Sequence, residues 1–196
     1  MKILNKIFLI IIFVFFTASS FAKDPSEFIS NITETASELL KKDITIEEKA
    51  QELIIIAERT VDIDGIGMYS LGKYRKTINK DQLNKYKSLF REYFLKSFSS
   101  RLSQYSDPKI IVLEQNVVND KYTIVSSVLV ETSERPEIKI DWRVYTADPE
   151  NPLIRDLIIE GLSLARTQKE EFNSVIQSAD GDVNALFANL ESFNSK

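Results

Sequence analysis

The 196-residue chain contains no histidine and no cysteine, and only five glycines, five prolines and one tryptophan. Without histidine, a serine hydroxyl lacks the usual base that takes its proton in hydrolytic triads. Without either residue, zinc loses its preferred ligands, and thiol chemistry and disulfides are excluded. The scarce glycines form no phosphate-cradling loop. The basic residues are not concentrated in any stretch, which argues against nucleic acid, whose affinity rests on clustered Lys and Arg.

What is present begins with the N-terminus. Two lysines in "MKILNK" precede the apolar run "IFLIIIFVFF" and the small-residue stretch "TASSFA". This is the layout of a secretory signal, with Ser20 and Ala22 at the −3 and −1 positions of an expected cleavage site. The alternative is a membrane anchor, but the uncharged stretch from 7 to 22 is 16 residues, short of the ~20 a spanning helix needs. Cleavage after Ala22 leaves Lys23–Lys196, one domain of 174 residues with 23 basic and 29 acidic side chains, a net charge of −6. Such a chain buries roughly 70% of its unfolded surface, enough for one core.

Apolar residues Phe28, Ile29, Ile32, Ala36, Leu39 and Leu40 recur at helical spacing over 25–42. Thr45 with Glu48 three residues on is a capping box, and it opens a second helix running toward Val61. A short helical segment comes with "DIDGIGMYSLGKY". A long helix follows from about Asn79 to Tyr105, with a stripe that includes Leu83, Tyr86, Phe90, Phe94, Phe98 and Leu102. From Lys109 the period changes to two. Residues 109–118 and 121–132 read as a hairpin over Asn119–Asp120, followed by "EIKIDWRVY" and a fourth strand at 153–160. In the third strand Ile138, Ile140, Trp142 and Val144 share one face. A final helix is expected from about Asp182 to Phe193. Helices, a four-strand meander and helices again make an α+β protein whose antiparallel sheet is covered on one face.

Two constellations invite a catalytic reading. "EGLSLA" resembles a nucleophile elbow around Ser163, but Ala165 stands where the second glycine belongs, and no histidine base exists. Ser163 is therefore expected to be a helix N-cap. Asp156 and Glu160, four apart on a strand, lie roughly 13 Å apart by rise alone. That is too far for the closely spaced pair of a retaining glycosidase, so they are expected to hold backbone amides at a strand end and turn. No catalytic residue, metal or cofactor is assigned.

Several stretches resemble one family in order. "MYSLGKY" and "NKDQLNKYKSLFREYFLKSFSSRLSQY" resemble the L-G-[KR]-Y segment and long aromatic helix of the MlaC, or toluene-tolerance, family. "IRDLIIEGLSLARTQKEEF" is similar to its D-x-x-x-E-G-[VL]-S element and following helix. "GDVNALFANL" resembles its C-terminal helix. Two positions depart from the pattern: Arg75 and Pro152 stand where members commonly carry Trp. The resemblance implies a strongly curved sheet closed by helices around an apolar pocket, close to a cystatin-like cone. It implies a monomeric periplasmic phospholipid carrier working between outer and inner membranes, with an MCE-domain transporter and an outer-membrane lipoprotein–porin complex as partners.

On that basis the expected lipid-binding wall draws on Ile111, Leu113, Val125, Leu129, Ile138, Ile140, Trp142, Leu157 and Ile159 from the sheet. Met68, Leu71, Tyr74, Phe90, Phe94 and Phe98 join it from the helices. Core and cavity wall have the same composition, so for each residue packing and lipid contact both stand. With no Lys or Arg cluster evident, headgroups are expected to remain in solvent. Two other readings stay open: an adaptor or chaperone for apolar peptides, and a small-ligand enzyme using a buried Asp141 or Asp62.

Overall fold

A computed structural model describes residues 23–133 and 135–196. The expected signal segment, residues 1–22, lies outside the described residues.

Six α-helices, one 3-10 turn and five strands follow one another among these residues. Helix α1 (Pro25–Lys41) starts on Asp24, whose carboxylate accepts from the Ser26 and Glu27 amides at 2.9 and 3.0 Å, with Pro25 opening the first turn. Helix α2 (Ile46–Thr60) carries the capping box of Thr45 and Glu48. A short α3 (Ile63–Ser70) passes into the 3-10 turn Gly72–Lys76. Helix α4 (Lys80–Leu102) opens on a second box, Asn79 with Gln82. After the sheet come α5 (Leu164–Ser178) and α6 (Val183–Asn194), capped by Ser163 and Asp182. Among the described residues no helix is long and apolar enough to cross a membrane.

The strands β1 (Ile110–Asn119), β2 (Tyr122–Leu129), β3 (Ile138–Tyr145), β4 (Leu153–Ile159) and β5 (Leu162–Ser163) form an antiparallel meander in sequence order. The α+β class with an antiparallel meander is as expected, but the sheet has five strands rather than four. The added strand rests on a two-residue loop in which both Glu160 (φ 49°) and Gly161 (φ 81°) are left-handed. That is the geometry that reverses a twisted hairpin tightly. It pairs Ile159 with Leu162 before α5 begins. The Glu160 carboxylate also accepts from the Lys139 amide at 2.6 Å.

Register decides which face of each strand is buried. Val125 pairs Trp142, Ser127 pairs Ile140 and Leu129 pairs Ile138 across β2 and β3. Leu157 and Ile159 continue the same face on β4. Irregularities in β1 between Val112 and Glu114, and between Val117 and Asn119, break the alternation there, and a third in β4 leaves Arg155 as the extra residue opposite Arg143 and Val144 of β3. Such bulges bend strands and increase their twist. Helix α1 lies against β1 and β2, α5 against β4, and α4 against α2 and α6.

Two polar ties fasten helices to sheet. At the start of α1, Gln115 of β1 donates to the second Asp24 oxygen at 2.8 Å, and its own carbonyl accepts from the Ser26 amide at 3.1 Å. The Glu27 amide, then the Gln115 amide, hold the Asp24 carboxyl below the ordinary aspartate value of 3.8. A depressed folded pKa contributes stability that is present above about pH 4 and lost as pH falls through the folded value. Asp24→Asn is therefore expected to remove a small part of the acid-side decline. Urea midpoints compared at pH 3 and pH 6 would test this; equal differences from wild type at both pH values would contradict it.

The second tie centres on Arg155. Its Nε donates to Asp62 at 2.5 Å, its Nη1 to the Tyr122 hydroxyl at 2.8 Å, and its guanidinium lies 3.7 Å from the Tyr145 ring centroid. Asp62 simultaneously caps α3 through the Gly65 amide at 2.8 Å. This locks the α2–α3 junction to three strands.

Candidate functional site

The apolar interior divides into three clusters. Against the sheet, Ile29 of α1 meets Val125, Leu129, Ile140, Trp142, Val144 and Ile154, flanked by half-buried Phe28, Ile32, Ile138 and Leu157. A larger helical cluster gathers residues of α3–α6 around Tyr86, Phe90, Phe172 and Phe187, flanked by Tyr74, Phe94 and Leu95. The third joins Leu39 and Leu40 of α1 to Leu53 of α2, flanked by Phe98 and Leu102 of α4. Helix α1 thus spans from the sheet to the helices, and Val61 touches both the first and second clusters.

The candidate site is the half-buried apolar surface at the margins of these clusters. On α4, the Phe94 and Phe98 rings stack at 5.9 Å with 9° between planes, linking the second cluster to the third. On the sheet, Ile138, Leu157 and Ile159 remain only partly covered, as do Phe28, Ile32 and Ala36 on α1. Each Å² of apolar surface left accessible forgoes roughly 25 cal/mol of hydrophobic stabilisation. An apolar ligand that covered these margins would recover it.

The expected wall residues distribute as follows. Val125, Leu129, Ile138, Ile140, Trp142 and Leu157 come together in the sheet cluster, and Ile159 lies beside Ile140 on the same face. Trp142 is tied there by its indole N–H, which donates to the Ser127 hydroxyl at 2.8 Å. Leu71, Tyr74, Phe90 and Phe94 belong to the helical cluster and Phe98 to the third. Met68 is half-buried, outside all three. Ile111 and Leu113 do not join the others: they are 42% and 60% exposed, and Ile110 and Val112 pack on the sheet core in their place. All four residues of "IIVL" are apolar, so the strand's own period cannot choose between the two faces. Pairing across the hairpin does, by setting Ile110 opposite Leu129 and Val112 opposite Ser127. The turn itself falls on Asp120–Lys121, one residue beyond the expected position.

The polar residues weighed for catalysis have structural partners. Ser163 Oγ accepts from the Arg166 amide at 3.1 Å and donates to Asp156 at 2.6 Å; the other Asp156 oxygen accepts from the Ala165 amide at 2.9 Å. Ser163 is an N-cap, and Asp156 braces the strand-to-helix passage from below. Asp156 is buried, so its removal leaves donors unmatched. Asp156→Ala is expected to cost about 2–4 kcal/mol of unfolding free energy, and a chemical-denaturation loss below 1 kcal/mol would refute this role. Asp62 is held by Arg155, and Asp141 accepts from the Ser126 hydroxyl at 2.7 Å.

Two clefts open on the helical side. One, of about 180 Å³, lies between α4, α5 and α6 and includes Tyr93, Phe172, Leu190 and Phe193. The other, of about 260 Å³, is lined by Tyr69, Gly72, Lys73, Arg75, Lys76 and Lys169. Neither is lined by the sheet residues. The second corrects the expectation that no cation cluster exists: the fold gathers four cations from the 3-10 turn and α5.

A meander sheet closed by helices leaves the apolar interior divided into three clusters with half-buried residues at their edges. The family model described as MlaC protein matches residues 29–192, and the chain belongs to the MlaC family. No curated protein matches. Among solved structures, the phospholipid-binding protein from Ralstonia solanacearum, in complex with a phospholipid, is similar with a TM-score of 0.74. The match covers 88% of this chain and 98% of that one at 18% identity, a likeness of fold.

Proposed function

We propose that this protein is a periplasmic phospholipid carrier that takes up one lipid by its acyl chains and moves it between the outer and inner membranes. The observations that carry the reading are the half-buried apolar side chains Phe94 and Phe98 on the helices and Ile138, Leu157 and Ile159 on the sheet, in a fold shared with a protein caught holding a phospholipid. Each methylene exposed to water costs about 0.8 kcal/mol, so two chains totalling ~28 methylenes cost on the order of 20 kcal/mol. Unassisted desorption is correspondingly slow, and an apolar interior that replaces the membrane removes most of that barrier.

The two clefts are smaller than the roughly 300–1,000 Å³ typical of ligand pockets. In this reading the sheet cluster and the helical clusters part on uptake, along the half-buried residues at their edges. Separate clusters suit this, because opening between them breaks fewer contacts than opening through one. The net charge of −6 on the chain from Lys23 onward disfavours nonspecific adhesion to anionic membranes. Loading and delivery then depend on protein partners, in this reading an MCE-domain transporter at the inner membrane and a lipoprotein–porin complex at the outer one.

Native mass spectrometry of the mature protein, purified without detergent and followed by lipid extraction, tests the reading. An adduct near the mass of one phospholipid supports it. A bare chain that takes up no lipid from liposomes contradicts it and favours an adaptor for apolar peptides.

A further inference from the structure

None of the residues lining the cationic cleft belongs to the proposed acyl-chain wall. Four of its six residues are Lys73, Arg75, Lys76 and Lys169, on a chain that is net acidic. None of these four takes part in the ion pairs found among the described residues, which engage Lys41, Lys85, Lys87, Arg91 and Arg155. Uncharged groups position three of them instead. The Lys169 ammonium lies 5.2 Å from the Tyr69 ring centroid, Lys73 lies 5.2 Å from that of Tyr74, and Arg75 Nη1 donates to the Met68 carbonyl at 3.3 Å. Such contacts hold a cation in place without neutralising it. Gly72 completes the arrangement. Its φ of 59° is left-handed, and a Cβ there would stand 3.3 Å from Lys169 Cε. The glycine therefore both turns the chain and leaves room for the lysine stem.

Like charges gathered around one concavity repel each other, and the field they focus there attracts an anion. A phosphoryl group suits this set, because it offers several oxygens to donors arriving from different directions. A lipid phosphodiester holds its two charged oxygens in a tetrahedral frame, whereas those of a carboxylate lie in one plane with its carbon. We propose that the cleft formed by the 3-10 turn and α5 is a phosphoryl-binding site. Resting on the carrier reading above, its ligand is the phosphate of a lipid headgroup; free phosphate carries the same chemistry.

The test uses the delipidated mature protein and its Lys73→Gln/Lys169→Gln variant. Backbone amide spectra are followed during titration with dihexanoylphosphatidylglycerol, with dihexanoylglycerol, which lacks the phosphate, and with inorganic phosphate. The phospholipid is expected to shift the amides of Gly72–Lys76 and Lys169. Its affinity should fall about tenfold for each cation removed and weaken with added salt, whereas dihexanoylglycerol should bind both proteins equally. Shifts that need the phospholipid assign the site to a headgroup, and saturable shifts with phosphate alone assign it to a free phosphoryl ligand. The proposal is overturned if the variant binds both phospholipid and inorganic phosphate as wild type does, or if neither phosphoryl ligand moves these amides. Should neither lipid bind while inorganic phosphate still does, the carrier reading fails and the phosphoryl site stands.

Discussion

Replacing Phe94 with aspartate is expected to leave a folded protein that purifies without lipid and no longer transfers it between liposomes. Phe94 lies between Phe90, at 6.1 Å, and the stacked Phe98 ring. It is half-buried, so the carboxylate can reach water when no ligand is present. Once acyl chains fill the margin the same charge would be desolvated, at a cost of several kcal/mol. A penalty of about 4 kcal/mol corresponds to roughly a thousandfold loss of affinity. Phe94→Leu, which keeps an apolar side chain, should retain lipid within a few-fold. Native mass spectra and fluorescent-lipid transfer report the effect, and thermal unfolding checks the fold. Lipid retained at the wild-type level by the aspartate variant would remove Phe94 from the proposed binding wall.

Tyr86→Ala is expected to cost about 3–5 kcal/mol of unfolding free energy, a large share of the ~5–15 kcal/mol that stabilises a typical domain. Tyr86 is fully buried, with the rings of Phe90, Phe172 and Phe187 at 5.8, 6.4 and 6.4 Å. Its hydroxyl donates to the Gly67 carbonyl at 2.8 Å, and burial pushes its pKa far above the ordinary value of 10, so it stays a donor at any physiological pH. The ring therefore joins α3, α4, α5 and α6 at one point. Tyr86→Phe keeps the ring and loses the hydrogen bond, for about 1–2 kcal/mol. Urea denaturation separates the two contributions. If the Phe and Ala variants prove equally destabilised, the hydroxyl rather than the packed ring holds this cluster together.

Much of the fold was legible because its signals are local. The boxes of Thr45 with Glu48 and Asn79 with Gln82, and the caps Ser163 and Asp182, each act within three residues of a helix start. They therefore mark boundaries without reference to the rest of the chain. The alternation of Ile138, Ile140, Trp142 and Val144 likewise survives intact on one face of β3. The strand β5 escaped notice because two residues cannot display a period, and its only local sign was the Glu160–Gly161 dipeptide. Of the expected wall, the residues on β2, β3 and β4 share a face, whereas Ile111 and Leu113 fell on the wrong side of a strand that is apolar on both.

From the sequence alone, then, come the exclusion of histidine- and cysteine-based chemistry, the helix starts, the antiparallel meander and the resemblance that the family match bears out. These depend on residue identity and on spacings of two to four positions. Only the tertiary structure decided that the apolar interior would fall into three clusters and that β1 would turn Ile110 and Val112 inward. It also brought Asp62 to Arg155, 93 positions along the chain, and Lys169 to the turn that carries Lys73, Arg75 and Lys76. The physical reason is common to all of these. Register and convergence are set by which distant surfaces exclude water together, and no window along the chain contains both partners.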